Sequence, residues 1–124
     1  MKKEIADMWC AALQSGEYNQ GRGTLCLQYS NDTKAWCCLG VLCDLYNKHN
    51  PPMKVNMLSG SGGKYVSFNQ YSTNLPPEVC VWSGMTSTNG KRTGFSVSLV
   101  TLNDHYGYSF AEIANVIEKE WETL

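Results

Sequence analysis

The sequence lacks an excess of charge of either sign, since its 124 residues contain 10 Lys and Arg against 11 Asp and Glu. Proteins that bind duplex nucleic acid usually present a broad basic face to the phosphates. The net charge of −1 therefore argues against duplex nucleic acid as a main partner.

Long apolar runs are missing as well. No stretch approaches the roughly 20 residues that cross a bilayer, and the charged start of the chain, residues 1–7, has no secretory hydrophobic region. We therefore expect no membrane contact and a cytosolic location, where thiols stay reduced. The cysteines at 10, 26, 37, 38, 43 and 80 are then predicted to be small buried apolar residues.

The Cys-x-x-Cys pairs that are common in zinc sites are also absent, and we predict no metal and no cofactor. Two alternatives stay open. Cys37, Cys38 and Cys43 could form a zinc site if His49 or Cys80 folded beside them. Cys38 could instead act as a nucleophile, because a position near a helix start can lower the pKa of a thiol.

What the sequence does contain is a dense apolar run over residues 36–46. From Cys38 on, apolar side chains recur at spacings of three and four, the period of one helix face. The neighbouring Val41 and Leu45 widen this face, which is typical of a buried central helix. Pro51 and Pro52 follow it, and proline cannot continue a helix.

The rest of the chain predicts a single α+β domain over residues 1–124, with three main helices packed on a small antiparallel sheet. Ser109 and Glu112 form a capping-box pattern at the start of the last helix. Glycine-rich residues 59–63 are predicted to form a turn or mobile loop, and residues 95–99 either a strand or the approach to a helical turn. The other predicted elements are helices over 2–14, 76–82 and 109–121, a helical turn over 99–105, and strands over 24–29, 35–37 and 64–71.

Several motifs are spread over nearly the whole chain. Residues 12–25 match Ala-Leu-x-Ser-Gly-x-Tyr-x-Gln-Gly-x-Gly-x-Leu, and residues 37–45 match Cys-Cys-Leu-Gly-Val-Leu-Cys-x-Leu. Leu-Asn-Asp at 102–104 precedes Ser-Phe-x-Glu-Ile-Ala-x-x-Ile-Glu at 109–118. In these motifs the chain resembles a family of small tailed-phage accessory proteins of unsettled function. The resemblance implies a phage origin and the cytoplasm of an infected bacterium, but no chemistry.

Two glycine-containing turns carry the candidate ligand-binding residues. In the first turn, residues 20–23, Gln20 and Arg22 alternate with glycines that can direct backbone N–H groups toward an anion. The second turn, residues 89–94, adds Lys91 and Arg92. If the two turns met, within one chain or between subunits, their cations would converge on phosphate. The aromatic residues that could then stack on a base are Tyr18, Tyr65, Tyr71 and Trp82.

Asn103 and Asp104 complete the set of candidate residues. As a functional pair they could bind a ribose hydroxyl or an adenine edge. Helix capping and turn bonding are the commoner roles for these residue types. No pair of carboxylates has a spacing typical of hydrolysis, and we predict no catalytic residues.

The leading functional hypothesis is a phage protein that sequesters a small phosphorylated ligand, a nucleotide signal of host anti-phage defence. A chain this small builds a deep pocket most easily as a homo-oligomer, so the pockets are expected between subunits. The alternative is a protein–protein inhibitor that binds a host enzyme through an exposed aromatic patch. The third hypothesis is a small nucleotide-cleaving enzyme that depends on Asp104 or His105.

Overall fold

A computed structural model describes residues 1–60 and 63–124 and confirms the predicted α+β class. Strands pair in the order β2-β1-β4-β3, and every pairing is antiparallel. The elements are α1 (Lys3–Gln14), β1 (Cys26–Gln28), β2 (Lys34–Trp36), α2 (Cys38–His49), β3 (Val55–Gly60), β4 (Gly63–Phe68), α3 (Pro77–Ser83), α4 (Leu99–Asp104), α5 (Phe110–Glu120) and a final 3-10 turn (Trp121–Thr123).

Helix α2 is the centre of the fold, as the apolar run predicts. It packs against α1, α3, α4 and β2, and its residues 38–43 are all buried. Gly40 lets the helix backbone approach the chain just before β1, because a Cβ at this position would lie 1.8 Å from the carbonyl oxygen of Leu25. The indole of Trp9 in α1 donates a buried hydrogen bond of 2.9 Å to the carbonyl of Cys38. Helix and sheet are thus locked together at the start of α2.

Local signals set most of the helix ends. The predicted capping box is present, since Ser109 accepts from the N–H of Glu112 and the Glu112 carboxylate accepts from the N–H of Ser109. Gly84 ends α3 in the left-handed conformation, with φ of 75°. The sulfur of Cys37 caps α2 by accepting from the N–H of Gly40 at 3.4 Å. The caps at Ser109 and Cys37 satisfy backbone donors that the first helical turn leaves free.

Of the two alternatives for residues 95–99, the approach to a helical turn is correct, since these residues lead into α4 and Ser98 caps that helix by accepting from the N–H of Thr101. The predictions for the sheet need correction. The strand predicted over 64–71 ends at Phe68, where Asn69 and Gln70 adopt φ of 48° and 75° and turn the chain back. The strand β3 was not predicted. Part of the predicted glycine-rich loop extends β3 and β4, whereas residues 61 and 62 lie outside the described residues.

Within residues 1–60 and 63–124, no helix is long and apolar enough to span a membrane.

Candidate functional site

The first turn is fixed to the junction between α4 and α5 by the side chain of Gln20. Its Nε2 donates to the Oδ1 of Asn103 and to the carbonyl of Tyr108, both at 2.8 Å. Its Oε1 accepts from the N–H of Phe110 at 3.1 Å. All three bonds join residues that are more than 80 positions apart in the sequence, so Gln20 holds distant parts of the fold together. Its amide therefore has little hydrogen-bonding capacity left for a ligand.

Asn103 and Asp104 lie at the same junction. Asn103 is fully buried, and its Nδ2 donates to the carbonyl of Gly21 at 2.9 Å and to the Asp104 carboxylate at 2.8 Å. The Nε of Arg22 donates to the carbonyl of Asn103 at 3.0 Å. The structure therefore brings four of the predicted site residues together: Gln20, Arg22, Asn103 and Asp104.

The predicted anion cradle of the first turn does not form at Gly21. Its N–H donates to the carbonyl of Trp36 at 2.7 Å and is not free to face a ligand. A Cβ at this glycine would lie 2.9 Å from the Cβ of Ala35, so close packing on β2 explains why glycine is needed here. Of the side chains in this turn, the exposed Arg22 alone presents a charged group to solvent.

The two cations of the second turn differ sharply. Arg92 is buried, with 7% of its surface exposed, and its guanidinium pairs with the Glu120 carboxylate at 2.5 Å, donates to the carbonyl of Val97 and lies over the ring of Phe95. Its role is therefore structural. The Lys91 side chain is exposed and forms no ion pair with the described residues.

Within one chain the two turns contact opposite ends of α5. Gln20 binds the backbone of Phe110 at the first residue of α5, and Arg92 binds Glu120 at the last residue. A helix rises about 1.5 Å per residue, so the two anchor points are about 15 Å apart along α5. Because Glu120 holds the buried Arg92 guanidinium, Arg92 is not available to join Arg22 and Lys91 on a phosphate within one chain.

Tyr18 belongs to a third region, on the outer face of α2. Its hydroxyl donates to the Asp44 carboxylate and accepts from the Lys48 ammonium at 3.1 Å, while its ring packs edge-on against Trp36. Burial raises the pKa of Tyr18 above its ordinary value, and the hydrogen bond to Asp44 adds to the effect. Hydrogen bonds to Tyr18 and Asp44 likewise raise the pKa of Lys48. Tyr18 is thus engaged in a local network and is not paired with either turn.

Trp82 borders an open groove between α2 and α3 with a volume of about 530 Å³. Its ring meets Tyr46 edge-on, with centroids 5.6 Å apart, and stacks on His49 at 6.4 Å. We call this the α2–α3 groove, and its lining residues are Tyr46, Asn50, Pro77, Glu78, Val81 and Trp82. The groove is lined mainly by apolar side chains and includes one carboxylate but no lysine or arginine.

Of the residues lining this groove, the sequence prediction identified Trp82 alone. The prediction missed Val81, an apolar groove residue with 78% of its surface exposed. The sequence position could have indicated this exposure. Val79 and Ser83 mark the buried face of α3, and Val81 falls halfway between them on the opposite face. Its exposed side chain adds to the apolar lining that Tyr46 and Trp82 give the groove.

Another hollow, of about 350 Å³, lies beside the second turn, and hydroxyl-bearing and cationic residues line it. We call it the Lys91 hollow, and it is lined by Thr86, Ser87, Lys91, Arg92, Thr93 and Gly94. The buried Nε of Arg92 has no hydrogen-bond partner among the described residues. The hollow offers hydroxyl groups and positive charge, but no aromatic ring lines it.

The cysteines are all free thiols. Within the described part of the chain, no three His, Cys, Asp or Glu side chains form a group that could hold a metal. Cys38 has no exposed surface, and burial raises its pKa well above the ordinary value, so the lowered pKa considered for this residue is wrong. A protonated thiol without solvent contact is a poor nucleophile.

A family model described as "Domain of unknown function (DUF8296)" matches residues 1–121. No curated protein and no solved structure matches the chain.

Proposed function

The chain belongs to the DUF8296 family of domains of unknown function, and we propose that it is a non-catalytic protein that binds a partner protein through the α2–α3 groove. In the phage setting that the sequence motifs suggest, the partner is a host enzyme. The observation that carries the proposal is the exposed Val81 beside the aromatic rings of Tyr46 and Trp82.

Burial of apolar surface is the main energy source in such a contact. Covering apolar area contributes about 25 cal/mol per Å², and full burial of a valine side chain about 1.5 kcal/mol or more. Tyrosine and tryptophan are the residue types that most often dominate protein interfaces. In this groove Tyr46 and Trp82 are already ordered against each other, so little further entropy is lost when a partner covers them.

The charge of the groove favours a protein segment over a phosphorylated ligand. Glu78 lies at its border and no cation lines it, so a phosphate placed here would meet like charge without a counter-charge. A partner segment with an apolar anchor and a neighbouring basic residue fits both the apolar floor and Glu78. The aromatic side chains of the groove thus have no cation beside them in the lining. For this reason we place binding of a partner protein ahead of sequestration of a phosphorylated ligand.

The test is affinity purification of tagged protein from a bacterial host, comparing wild type with Val81→Glu. We expect a host protein at one copy per chain with wild type, and at least a tenfold weaker affinity of the purified partner for Val81→Glu, which corresponds to about 1.4 kcal/mol. The matched control is Tyr106→Glu, since Tyr106 is 62% exposed on a different surface. Equal retention of the partner by both variants would contradict the proposal.

Sequestration of a small phosphorylated ligand stays as a second candidate, supported by the Lys91 hollow. Its hydroxyl groups and its exposed lysine suit an anion. Titration calorimetry with mononucleotides, ADP-ribose derivatives and cyclic dinucleotides tests it. We expect any heat of binding to vanish in Lys91→Ala and to persist in Lys54→Ala, where an exposed lysine lies elsewhere. Absence of heat with wild type would exclude ligands of these classes.

A further inference from the structure

The two edges of the sheet differ in whether another segment of the chain pairs with them. The edge at β2 is covered, because the N–H of Trp36 donates to the carbonyl of Asn19 and the N–H of Gly21 donates to the carbonyl of Trp36, both at 2.7 Å. Residue 20 thereby forms a parallel bridge with Trp36. No segment of the described chain pairs with the outer edge of β3, whose sole strand neighbour is β4.

The backbone groups that β3 leaves free can be assigned residue by residue. The N–H of Asn69 donates to the carbonyl of Lys54 at 2.8 Å, so the pair of residues 54 and 69 faces inward. In an antiparallel ladder, hydrogen-bonded and non-hydrogen-bonded pairs alternate. Residues 56 and 58 therefore bond to β4, whereas the N–H and C=O groups of Val55, Met57 and Ser59 point outward.

Three side chains of this edge are apolar and exposed, and none of its residues carries a charge. Val55, Met57 and Leu58 are exposed over 47%, 46% and 41% of their surfaces. Natural edge strands are usually protected from pairing by lysine, proline or a bulge. Residues 55–60 contain neither residue type, and their register with β4 runs without a bulge from Val55 opposite Phe68 to Gly60 opposite Gly63.

We propose that β3 pairs with β3 of a second copy of this chain, antiparallel about a two-fold axis through Met57, to form a continuous eight-stranded sheet. In this register Met57 lies opposite the partner's Met57, and Val55 lies opposite the partner's Ser59. Each of the three outward-facing pairs exchanges two backbone hydrogen bonds, about six in all. Val55 and Met57 share the face of β4 that carries Val66 and Phe68, so pairing extends that apolar face across the two-fold axis.

The charge distribution favours a second copy as the occupant. The strand is uncharged over residues 55–60, and in this register Lys54 lies opposite the partner's Gly60, so the two lysines fall at opposite ends of the new strand pair. No like charges meet. The surface is separate from the α2–α3 groove, and the proposal does not depend on the partner-binding function.

The test combines molecular mass with hydrogen exchange. Sedimentation equilibrium is expected to show a dimer for wild type, at least tenfold weaker association for Met57→Lys, and unchanged association for the control Tyr106→Lys. In the wild-type dimer, the amides of residues 55, 57 and 59 are expected to exchange at least tenfold more slowly than in Met57→Lys. The amides of residues 56 and 58, which bond to β4, are expected to be protected in both proteins.

Three results would overturn the proposal. The first is a wild-type monomer at all concentrations. The second is a dimer that Met57→Lys leaves as stable as Tyr106→Lys does. The third is a dimer in which the amides of residues 55, 57 and 59 exchange as fast as in Met57→Lys. A monomer that protects these amides only when an extended peptide of another protein is added would assign the edge to a different occupant.

Discussion

Single glycine residues allow two close backbone contacts in this fold. Gly40 brings α2 against the residue before β1, and Gly21 brings the first turn against β2. In both cases the glycine is needed for space, since neither has a positive φ. The glycines that terminate or reverse the chain, such as Gly84, are needed for conformation instead.

Gly40→Ala tests the closest of these contacts. The added Cβ would overlap the carbonyl of Leu25, and since backbone cannot move aside as a side chain can, we expect a loss at or above the upper end of the usual overpacking cost of about 1–3 kcal/mol. Urea unfolding measures this loss. The control is Gly16→Ala, where a Cβ meets no atom within 4 Å and the cost is about 1–2 kcal/mol, from the positive φ alone. Equal losses in the two variants would contradict the packing argument.

Arg92 illustrates a residue whose role the sequence could not reveal. Beside Lys91 in a glycine turn it has the appearance of a ligand-binding cation, yet Glu120, with which it pairs, lies 28 residues away. Whether an arginine faces a ligand or a carboxylate of its own chain depends on tertiary structure. The same holds for Asn103, whose buried amide is used by the first turn.

Arg92→Ala is expected to lower the free energy of unfolding, in addition to any effect on ligand binding. Removal of one partner of a buried ion pair costs about 3–5 kcal/mol, and because Glu120 retains some solvent contact we expect about 3 kcal/mol. Lys91→Ala, at the neighbouring exposed position, should change the free energy of unfolding by less than about 0.5 kcal/mol. Thermal and urea unfolding of both variants checks the difference, and similar small effects would show that the ion pair does not hold the turn.

At the scale of elements, the first turn acts as a clamp between the sheet and the α4–α5 junction. Trp36 holds it on one side and Gln20 on the other, so the turn joins segments that are distant in sequence. The sequence predicted a turn here and could not predict the clamp, because its hydrogen-bond partners are set by the packing of the last two helices.

Gln20→Ala is expected to lower the free energy of unfolding by about 2–3 kcal/mol. The substitution leaves the N–H of Phe110 and the carbonyl of Tyr108 without their partner, and an unsatisfied buried polar group costs about 1–3 kcal/mol. Gln14→Ala, the same change at an exposed helix position, serves as the control. Chemical denaturation measures the free energy of unfolding of both variants, and equal losses would contradict the role of Gln20 as a clamp.

Most helices were predictable at this scale, and one strand was not. The capping box of α5 and the apolar period of α2 are local signals, and both are confirmed. The missed strand β3 has no alternation of buried and exposed residues, because it lies at the edge of the sheet and is exposed on both faces. Its pairing with β4, rather than its own sequence pattern, makes it a strand.

At the scale of the whole molecule, the buried cysteines make the free energy of unfolding depend on pH. Burial raises the pKa of the Cys37 thiol from 9.0 to about 12, and it raises the pKa values of Cys38 and Cys43 as well. A folded-state pKa above the unfolded value means that the stabilising contribution is complete below about pH 9 and is lost as pH rises toward the folded pKa. The protein should therefore lose stability in alkaline solution.

The variant Cys37→Ser isolates one part of this loss. Each affected thiol lowers the free energy of unfolding by about 1.4 kcal/mol per pH unit above pH 9, and serine does not ionise in this range. We expect the decline between about pH 9 and pH 10.5, followed by urea unfolding, to be shallower by that amount in Cys37→Ser. Parallel declines for wild type and variant would show that the thiol remains protonated in the unfolded chain.

The candidate site was the least predictable feature of the molecule as a whole. The sequence supplied a correct inventory of cations and aromatic rings, but it could not show that Arg92 is buried against Glu120. It also could not show that Val81, Tyr46 and Trp82 share one groove, since α2 and α3 meet only in the folded chain. These placements follow from packing between distant elements.

Binding of a host protein through the α2–α3 groove is tested by native mass spectrometry of tagged protein from a bacterial host. We expect a complex with one defined host polypeptide per chain, present with wild type and with Tyr106→Glu and absent with Val81→Glu. A free protein in all three preparations, or a retained mass of only a few hundred daltons that Val81→Glu does not remove, would contradict binding through the α2–α3 groove.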